Sequence, residues 1–543
     1  MGPFSGAAVK HRRVTPGTRL GFRWLVQAHI GVPALMYRAF LLLLAATALS
    51  GCDFLTKDDP AAQIAGEWQV DPQAVTADAL RAAIEDEDLR KFYEARQWRA
   101  AWDQDRVGQL TAALHDARRH ALDHVPFLPG AAPEGPVARE VALTRAALGY
   151  GKALAQGLVD PSRIWPIYTV PRAKADIAAG LGAGLESGKV AEWLGSLAPQ
   201  TEEYRALSAA YLAQLDRLTA APDVGGGGLI KVGQSDPRVP ALVQALQANG
   251  YLAAPKGEQQ QPQVYTPGIA TGVKRLQADY GIKADGMVGP ETLEVLNTGP
   301  AERARQLAVN LERRRWLDRR PAETRIDVNT AGTFLDYWRD GGHRDRRRVV
   351  VGQPDWETPQ LGSPIFQLVA NPTWTVPESI EVEEIAPKGP GYLARNNMVR
   401  RNGRIVQLPG PENSLGQVKF DMKNDQAIYL HDTPAKALFA ENERHRSHGC
   451  VRVEDALGFA QMLAGDDGIL PAFQQAMQGK DEDFVGMKRE VPVRLLYHTV
   501  FLDGGALHFR TDAYGWDEDL AGALSLKKRT RRPLKSRGGD IGP

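Results

Sequence analysis

The residues best placed to do chemistry in this sequence are a histidine and a cysteine, 19 positions apart. His431 ends the run Tyr429-Leu430-His431, and Cys450 lies in Ser447-His448-Gly449-Cys450-Val451-Arg452. A thiol attacks a carbonyl carbon as the thiolate, so it needs a base that takes its proton and N–H donors that stabilise the resulting oxyanion. An imidazole upstream of this thiol therefore indicates nucleophilic catalysis by Cys450.

The segments on either side of this pair predict how it is held. Alternating side chains predict a strand that ends at His431 and directs it to the same face as Tyr429. Apolar residues at helical spacing predict a helix that begins near Glu454 or Asp455. Cys450 would then lie in the loop before a helix N-terminus, where negative charge is favoured. We expect His431, fixed by its strand, to be the base.

The residues next to the thiol complete the candidate centre. Gly449 removes a side chain where the backbone must turn tightly and a substrate must come close. The backbone N–H groups of Gly449 and Cys450 are the expected oxyanion donors, and one such donor typically contributes on the order of 3 kcal/mol. His448 is two positions from the thiol, so we expect it to shape the loop or to bind the substrate.

The start of the chain predicts export. A basic residue precedes the apolar run from Ala39 to Leu49, which is typical of a signal region, here residues 1–51. The sequence Leu49-Ser50-Gly51-Cys52 resembles a bacterial lipoprotein processing box. Processing there would leave Cys52 as the acylated first residue, and Met36 is then a second candidate start. A cleaved signal with an incidental cysteine is the alternative.

Cysteine count and charge limit the function further. The chain has 2 cysteines, so acylation of Cys52 would leave Cys450 without a disulfide partner and favours a reactive thiol. With 66 basic and 65 acidic residues the formal net charge is +1, so no overall field attracts nucleic acid. Basic residues crowd instead into the C-terminal tail, residues 516–543, and we expect the cluster from Lys527 to Arg537 to be a solvated end.

Changes of pattern along the chain predict a multidomain α+β protein. Residues 52–220 have helical spacing with little alternation and predict a helical scaffold. Four consecutive glycines predict a flexible linker over residues 221–234. Short alternating runs within residues 300–515 predict a mostly β domain, and the stretch 377–416, rich in Pro, Gly, Glu and Arg, predicts a lid or capping insertion near the site.

Residues 235–299 form a separate small unit with two helical patterns and two glycine turns. The turns are Asn249-Gly250-Tyr251-Leu252 and Asp285-Gly286-Met287-Val288-Gly289-Pro290-Glu291-Thr292. This unit resembles the peptidoglycan-binding-domain family of three-helix modules, in which such turns are typical. A packing module without a ligand is the alternative.

His431 together with Ser447-His448-Gly449-Cys450 resembles the signature of the L,D-transpeptidase family, a histidine upstream of a Ser/Thr-His-Gly-Cys box. Further segments resemble the large, capped periplasmic branch of that family, and the resemblance extends from residue 303 to about 515. These segments are Val349-Val350-Val351-Gly352, Thr358-Pro359, Asn371 to Pro377, Gly391 to Ala394, Leu415 to Phe420 and Tyr429 to Pro434. Arg452 stands where many smaller members of the family carry Asn. The large branch tolerates Arg at this position.

The resemblance implies roles for individual residues. Cys450 would be the nucleophile and His431 the base and then the acid, with His448 and Gly449 in the catalytic loop. The residues implied to bind the substrate are Tyr429, Arg452, Ser447 and Trp374. No metal and no cofactor takes part in the chemistry that the family implies.

The resemblance also implies a substrate and a place. Cys450 would attack the carbonyl between meso-diaminopimelate and D-Ala of a tetrapeptide stem in peptidoglycan, and D-Ala would leave. A diaminopimelate amine of a neighbouring stem would then take the acyl group and form a 3-3 cross-link. Such a protein is expected in the periplasm, anchored to the membrane by lipid on Cys52.

Other readings of the same residues remain open. L,D-carboxypeptidase activity on the same scaffold would use water as the acceptor, and a non-catalytic cell-wall-binding lipoprotein would need only residues 235–299. A cysteine endopeptidase would usually place its thiol before its histidine. A zinc site formed by His431, His445, His448 and Cys450 lacks the paired ligand spacing that zinc sites show.

Overall fold

The structure is a computed structural model that describes residues 60–216, 223–253 and 262–526. The predicted signal region, the lipidation site at Cys52 and the tail after residue 526 lie outside the described residues. Within these ranges, no helix has both the length and the apolar composition needed to cross a bilayer.

The first part of the described chain is a bundle of eight helices, as predicted for the scaffold. They are α1 (Pro60–Glu67), α2 (Ala77–Ala83), α3 (Glu87–Ala95), α4 (Gln104–His115), α5 (Pro136–Gln156), α6 (Ile177–Glu186), α7 (Val190–Leu197) and α8 (Glu202–Leu215). Helices α2, α3, α4, α6 and α8 each begin after a Thr or Asp whose side chain accepts a hydrogen bond from the backbone N–H three residues on. Trp68, Trp102 and Tyr93 are fully buried in the core of this bundle.

The small module that follows has three helices, α9 (Val239–Ala248), α10 (Pro267–Asp279) and α11 (Pro290–Leu296). Gly286 adopts a positive φ of 75° in its second turn, and its carbonyl accepts a hydrogen bond from the Tyr265 hydroxyl. The flexible linker predicted for residues 221–234 is wrong for part of its length. Val224 and Ile230 are buried in the core of the module, because the chain on either side of the glycines packs against it.

Helix α12 (Pro300–Trp316) is the helical segment through Arg315-Trp316-Leu317 expected before the strands of the catalytic domain, and it packs with the scaffold. Its apolar residues Ala304, Leu307, Ala308 and Leu311 belong to the scaffold core. The Arg314 guanidinium also binds the Glu203 carboxylate of α8 at 2.7 Å. The strands of the β domain therefore begin after α12.

The β domain is built on a nine-stranded mixed sheet. Its strands are β1 (Arg325–Asn329), β2 (Phe334–Arg339), β3 (Gly342–Gly352), β4 (Gly362–Ala370), β8 (Val418–Met422), β9 (Leu430–His431), β10 (His445–Ser447), β11 (Val451–Val453) and β12 (Asp483–Leu496). The order is β10-β3-β11-β9-β8-β4-β12-β1-β2, and β2 also pairs with β3, so the pairings close into a ring. Helices α15 (Ala456–Asp467) and α16 (Leu470–Gln478) share the sheet's hydrophobic core.

The insertion between β4 and β8 is an ordered capping subdomain with a core of its own. It contains β5 (Trp374–Thr375), α13 (Glu378–Ile380), a π-helical turn (Glu381–Ile385), α14 (Tyr392–Arg395), β6 (Met398–Arg401) and β7 (Arg404–Gln407). The three strands pair in the order β5-β7-β6. Trp374, Val376, Ile380 and Ile405 form its buried core. The insertion is therefore less irregular than its composition suggested.

The described chain ends in a hairpin and a helix. The hairpin is β13 (Val500–Asp503) with β14 (Ala506–Phe509), and the helix is α17 (Trp516–Ala523). Leu520 and Ala521 of α17 are completely buried. The first residues of the predicted basic tail therefore pack against the protein, whereas the basic cluster from Lys527 lies outside the described residues.

Candidate active site

The strand register brings the predicted base and nucleophile together. Strands β9 and β11 are parallel neighbours, with Val451 opposite Leu430 and Arg452 opposite His431. The Val451 N–H donates to the Tyr429 carbonyl at 3.1 Å, so Cys450 lies beside Tyr429 at the start of β11. With a strand spacing of about 4.8 Å and a rise of about 3.3 Å per residue, the Cα atoms of Cys450 and His431 are roughly 8 Å apart. The two side chains are diagonal neighbours on the sheet.

His431 is fully buried, and its tautomer follows from one contact. Its Nδ1 lies 2.5 Å from the Asp432 carbonyl oxygen, which can only accept a hydrogen bond. Nδ1 therefore carries the proton, and Nε2 is the basic nitrogen of the neutral ring. The Tyr429 and His431 rings contact edge to face with centroids 5.6 Å apart, so the two residues lie together as predicted from the alternation.

The Cys450 thiol is buried, with 5% of the residue exposed, and its Sγ lies 3.7 Å from the Ala427 carbonyl oxygen. Burial raises the pKa of the Cys450 thiol to about 11, although hydrogen bonds from Tyr429 and the positive charges of Lys419 and Arg452 act in the opposite direction. The resting cysteine is therefore a neutral thiol near pH 7. It requires a base at the moment of attack.

The helix predicted after Cys450 is α15, and its N-terminus is a few residues from the thiol. Strand β11 separates Cys450 from α15, and Asp455 caps that helix by accepting a hydrogen bond from the Gly458 N–H. At this separation the contribution of the helix N-terminus to a thiolate is expected to be modest.

Ser447 closes the tight turn that carries the thiol. Its hydroxyl donates to the Cys450 carbonyl at 2.6 Å and accepts from the Gly449 N–H at 3.3 Å. Gly449 has a φ of 110°, a conformation that residues with a Cβ rarely adopt. The Gly449 N–H is one of the two predicted oxyanion donors. It would have to break its hydrogen bond to the Ser447 hydroxyl before it could donate to an oxyanion.

A chain of hydrogen bonds holds this turn from behind. The Thr358 hydroxyl donates to the Gly449 carbonyl at 2.8 Å and accepts from the Gly352 N–H at 2.9 Å. The Tyr514 hydroxyl donates to the Gly352 carbonyl at 2.6 Å. All of these groups are buried, so each bond is protected from water.

His448 connects the catalytic turn to the capping subdomain. Its Nε2 lies 2.5 Å from a carboxylate oxygen of Glu384, in the π-helical turn of the cap. On the other side its ring contacts the Trp356 ring edge to face, with centroids 4.9 Å apart. These contacts agree with a loop-shaping role for His448.

Three of the four residues predicted to bind the substrate are buried, namely Trp374, Arg452 and Ser447, and Tyr429 is partly buried. Trp374 is 1% exposed and lies in the core of the cap, because the motif around it forms β5 with this side chain packed inward. Its contact with the substrate stays a prediction. Arg452 is also 1% exposed, and its positive charge acts on the thiol from the next position of the sheet face.

His445, the remaining member of the predicted zinc alternative, has structural partners at both ring nitrogens. Nδ1 contacts the Glu443 carboxylate at 2.6 Å and Nε2 contacts the Thr330 carbonyl at 3.1 Å. Across the three described stretches of the chain, no group of His, Cys, Asp or Glu side chains is arranged to hold a metal ion.

Sequence reasoning missed four residues that contact the site or its supports. Thr358 and Lys419 lie in segments that resemble the family, but no role at the site was predicted for either of them. Glu384 and Tyr514 carried no local signal, since each reaches the site from a distant part of the chain.

Three family models match successive parts of the chain. The "L,D-transpeptidase catalytic domain" matches residues 323–489, the "Scaffold domain" matches residues 87–210, and the "Putative peptidoglycan binding domain" matches residues 235–296. The order agrees with the three parts seen in the fold.

Among curated proteins, a "Putative L,D-transpeptidase" of Haemophilus influenzae is 30% identical over 240 residues, which is 40% of this chain and 48% of that protein. The match therefore spans about half the length of this relative.

Two solved structures are also similar. An L,D-transpeptidase from Mycobacterium smegmatis is 13% identical, covering 32% of this chain and 58% of that one at a TM-score of 0.20. An L,D-transpeptidase from Xylanimonas cellulosilytica is 16% identical, covering 50% and 98% at a TM-score of 0.17. TM-scores this low support no conclusion about this chain.

Proposed function

Because residues 323–489 are an L,D-transpeptidase catalytic domain, we propose that this protein forms 3-3 cross-links between peptidoglycan stem peptides through a thioester on Cys450. The observation that carries the proposal is the parallel register of β9 and β11, which sets His431 and Cys450 as diagonal neighbours beside Tyr429.

The first half of the reaction forms the acyl-enzyme. His431 Nε2 takes the proton of the Cys450 thiol, and the sulfur attacks the carbonyl between diaminopimelate and D-Ala. The tetrahedral oxyanion is stabilised by backbone N–H groups of the turn. The C–N bond then breaks, His431 returns the proton to the leaving amine of D-Ala, and a thioester remains on Cys450.

The second half transfers the acyl group to an amine. The side-chain amine of diaminopimelate on another stem attacks the thioester carbonyl, and His431 takes a proton from that amine. Collapse of the second tetrahedral intermediate breaks the C–S bond, and the proton returns to the sulfur. The neutral thiol of the resting protein is restored, so no group is consumed.

A buried neutral thiol beside an imidazole suits this sequence of steps. The raised pKa of Cys450 limits its reaction with other electrophiles, because the reactive thiolate forms only when His431 takes the proton. The contact between His448 and Glu384 suggests that the cap covers the turn between reaction cycles.

Incubation of the purified protein with muropeptides that carry tetrapeptide stems tests the proposal. We expect loss of D-Ala and formation of dimers with the mass of a 3-3 cross-link. Cys450→Ala should abolish both, whereas Cys52→Ser, at the other cysteine of the chain, should leave them unchanged in protein without lipid. Unchanged dimer formation by Cys450→Ala would contradict the proposal.

The alternative is L,D-carboxypeptidase activity on the same residues, with water as the acceptor. The same experiment separates the two activities, since the carboxypeptidase would release D-Ala in a Cys450-dependent manner without forming dimers. A wall-binding protein without catalytic activity would do neither.

We also propose that the protein is exported and anchored by lipid on Cys52, and that residues 235–296 bind peptidoglycan. The mass of the N-terminal peptide of the mature protein tests the first point, because acylation adds the mass of its fatty acids. Sedimentation of the intact protein with insoluble peptidoglycan tests the second.

A further inference from the structure

A row of polar side chains leads across the sheet to the catalytic sulfur. On β8, the Lys419 ammonium binds the Asp421 carboxylate at 2.5 Å, and Gln367 of β4 donates to the same carboxylate at 2.7 Å. Lys419 pairs with His431 in the register of β8 and β9. Its Nζ also lies 4.4 Å from the centroid of the Tyr429 ring, and Tyr429 in turn is hydrogen-bonded to Cys450.

Tyr429 can act on the sulfur only as a donor. Burial and the neighbouring thiol raise the pKa of Tyr429 well above its ordinary range, so the phenol keeps its proton. A neutral phenol beside a thiolate donates its O–H to the sulfur. A cation over the ring withdraws electron density from the phenol and makes that O–H a stronger donor.

We propose that Lys419 is a positioning residue that stabilises the Cys450 thiolate through Tyr429, once His431 has taken the proton. The ammonium acts on the sulfur in two ways, by its own charge and by strengthening the Tyr429 hydrogen bond. No bond to Lys419 is made or broken. The inference rests on the proposed function for its role in catalysis, but the stabilisation itself requires no substrate.

The other charged groups around the sulfur do not replace Lys419. His431 supplies the base and faces Tyr429 from β9, and Arg452 adds positive charge from β11. Glu384 of the cap contacts His448 on the preceding turn. Of these groups only Lys419 lies over the Tyr429 ring, where its ammonium binds Asp421, and Gln367 donates to that carboxylate.

The rate of alkylation of Cys450 by iodoacetamide, followed by mass spectrometry from pH 6 to pH 11, tests the proposal on the full-length protein. In Lys419→Met we expect the rate at each pH below 9 to fall roughly 3- to 10-fold, because the thiolate is less populated without the nearby charge. Lys419→Arg should restore most of the rate. Asp421→Asn, which removes the opposing carboxylate, should increase it.

The chain offers a matched control. Lys423, four positions further, lies 5.6 Å from the Phe366 ring centroid and pairs with the Glu490 carboxylate, so it repeats the arrangement of Lys419 on a side chain that is 52% exposed. Lys423→Met should leave the alkylation profile unchanged. In a Tyr429→Phe background, Lys419→Met should have a smaller effect, since part of it acts through the phenol.

An unchanged alkylation profile in Lys419→Met would overturn the proposal. If KM for the muropeptide then rose while the profile stayed constant, Lys419 would instead bind a carboxylate of the substrate. If Lys419→Met did not fold, the opposite shift expected for Asp421→Asn would decide the matter. Alkylation needs no muropeptide, so a failure of the proposed cross-linking activity would be seen separately.

Discussion

His448 Nε2 and a carboxylate oxygen of Glu384 lie 2.5 Å apart, which joins the turn that carries the nucleophile to the capping subdomain. The imidazole is 5% exposed and the carboxylate 23%. This contact is a direct link between the turn that carries the nucleophile and the subdomain that covers it, beside the packing of Tyr429 against the core of the cap.

Glu384→Gln should loosen the cap. An amide replaces a charged acceptor, and hydrogen bonds to charged groups are worth about 1.5–3 kcal/mol when they are buried. Partial exposure reduces that value here, so we expect roughly a threefold to tenfold rise in KM with a smaller change in kcat. Hydrogen exchange of the backbone amides of β6 and β7 should become faster. Glu383→Gln, at an exposed neighbour in the same turn, is the control. It should change neither KM nor the rate of hydrogen exchange.

Ser447→Ala should impair the catalytic turn more than it impairs the fold. The buried Cys450 carbonyl loses the hydroxyl that it accepts from at 2.6 Å, which costs about 1–3 kcal/mol of stability. Displacement of the turn should also lower kcat at least tenfold, because the oxyanion donors are part of it. Ser363→Ala is the matched control, since that hydroxyl donates to the Lys423 carbonyl at 2.8 Å away from the site. Equal losses of kcat in both variants would show that Ser447 has only a structural role.

Thr358→Val should separate support of the turn from chemistry at the thiol. Valine keeps the shape but removes the bond to the Gly449 carbonyl and the acceptor for the Gly352 N–H. We expect kcat to fall severalfold while KM changes little, as measured with muropeptides. Thr330→Val is the control, because it removes a comparable buried hydrogen bond, to the Leu496 carbonyl at 3.0 Å. It should lower the midpoint of thermal unfolding but reduce kcat less than Thr358→Val does. A normal kcat in Thr358→Val would mean that the turn holds its shape without this bond.

Cys450 should make the stability of the protein depend on pH in the alkaline range. Burial raises the pKa of the folded thiol to about 11 from an ordinary value near 9, so the folded state keeps its proton where the unfolded chain loses it. The stabilising contribution is fully present below pH 9 and is lost as the pH rises through 11. Urea unfolding should show that the wild type loses up to about 2 kcal/mol more than Cys450→Ala between pH 8 and pH 11. Parallel losses in the two proteins would contradict the raised pKa.

The buried pair of Glu312 and Arg315 should be essential to the scaffold. Both side chains are at most 1% exposed, and Arg315 also donates to the His120 carbonyl at 2.8 Å and to the Tyr204 hydroxyl at 3.0 Å. Glu312→Gln leaves the guanidinium charge uncompensated, which typically costs about 3–5 kcal/mol. Urea unfolding measures the loss. Glu192→Gln breaks the exposed pair with Lys189 and should cost less than about 1 kcal/mol.

The sequence predicted the parts of the site that are local in the chain. The alternation before His431 and the motif around Cys450 each span only a few residues. A shift of one residue in the pairing of their strands would decide whether the two side chains point to the same face. The three-part organisation was also predictable, and it is confirmed by the order of helices, module and sheet.

The supports of the site were not predictable, because they come from far along the chain. Tyr514 is more than 60 residues from Cys450, and Glu384 belongs to an insertion whose strands have only two to four residues. Such short strands show no alternation that a sequence pattern can reveal. Trp374 was predicted to contact the substrate from its motif alone, and nothing local indicated that the cap would bury it.

Buried charges hold the C-terminal end of α12 against its neighbours. Arg313, Arg314 and Arg315 follow one another at the end of α12, and such a run normally indicates a solvated face. All three are buried, since Asp517 of α17, Glu203 of α8 and Glu312 of α12 itself neutralise them.

The position of α12 has a consequence for how such proteins can be divided and recombined. The matched family segments end at residue 296 and resume at residue 323, whereas α12 lies between them and packs into the core of the scaffold. A transplant of the catalytic strands that began at residue 300 would carry a helix whose apolar face is uncovered and whose Arg314 and Arg315 have lost their scaffold partners. One that began after Trp316 would instead leave its donor scaffold with an open groove in place of that helix.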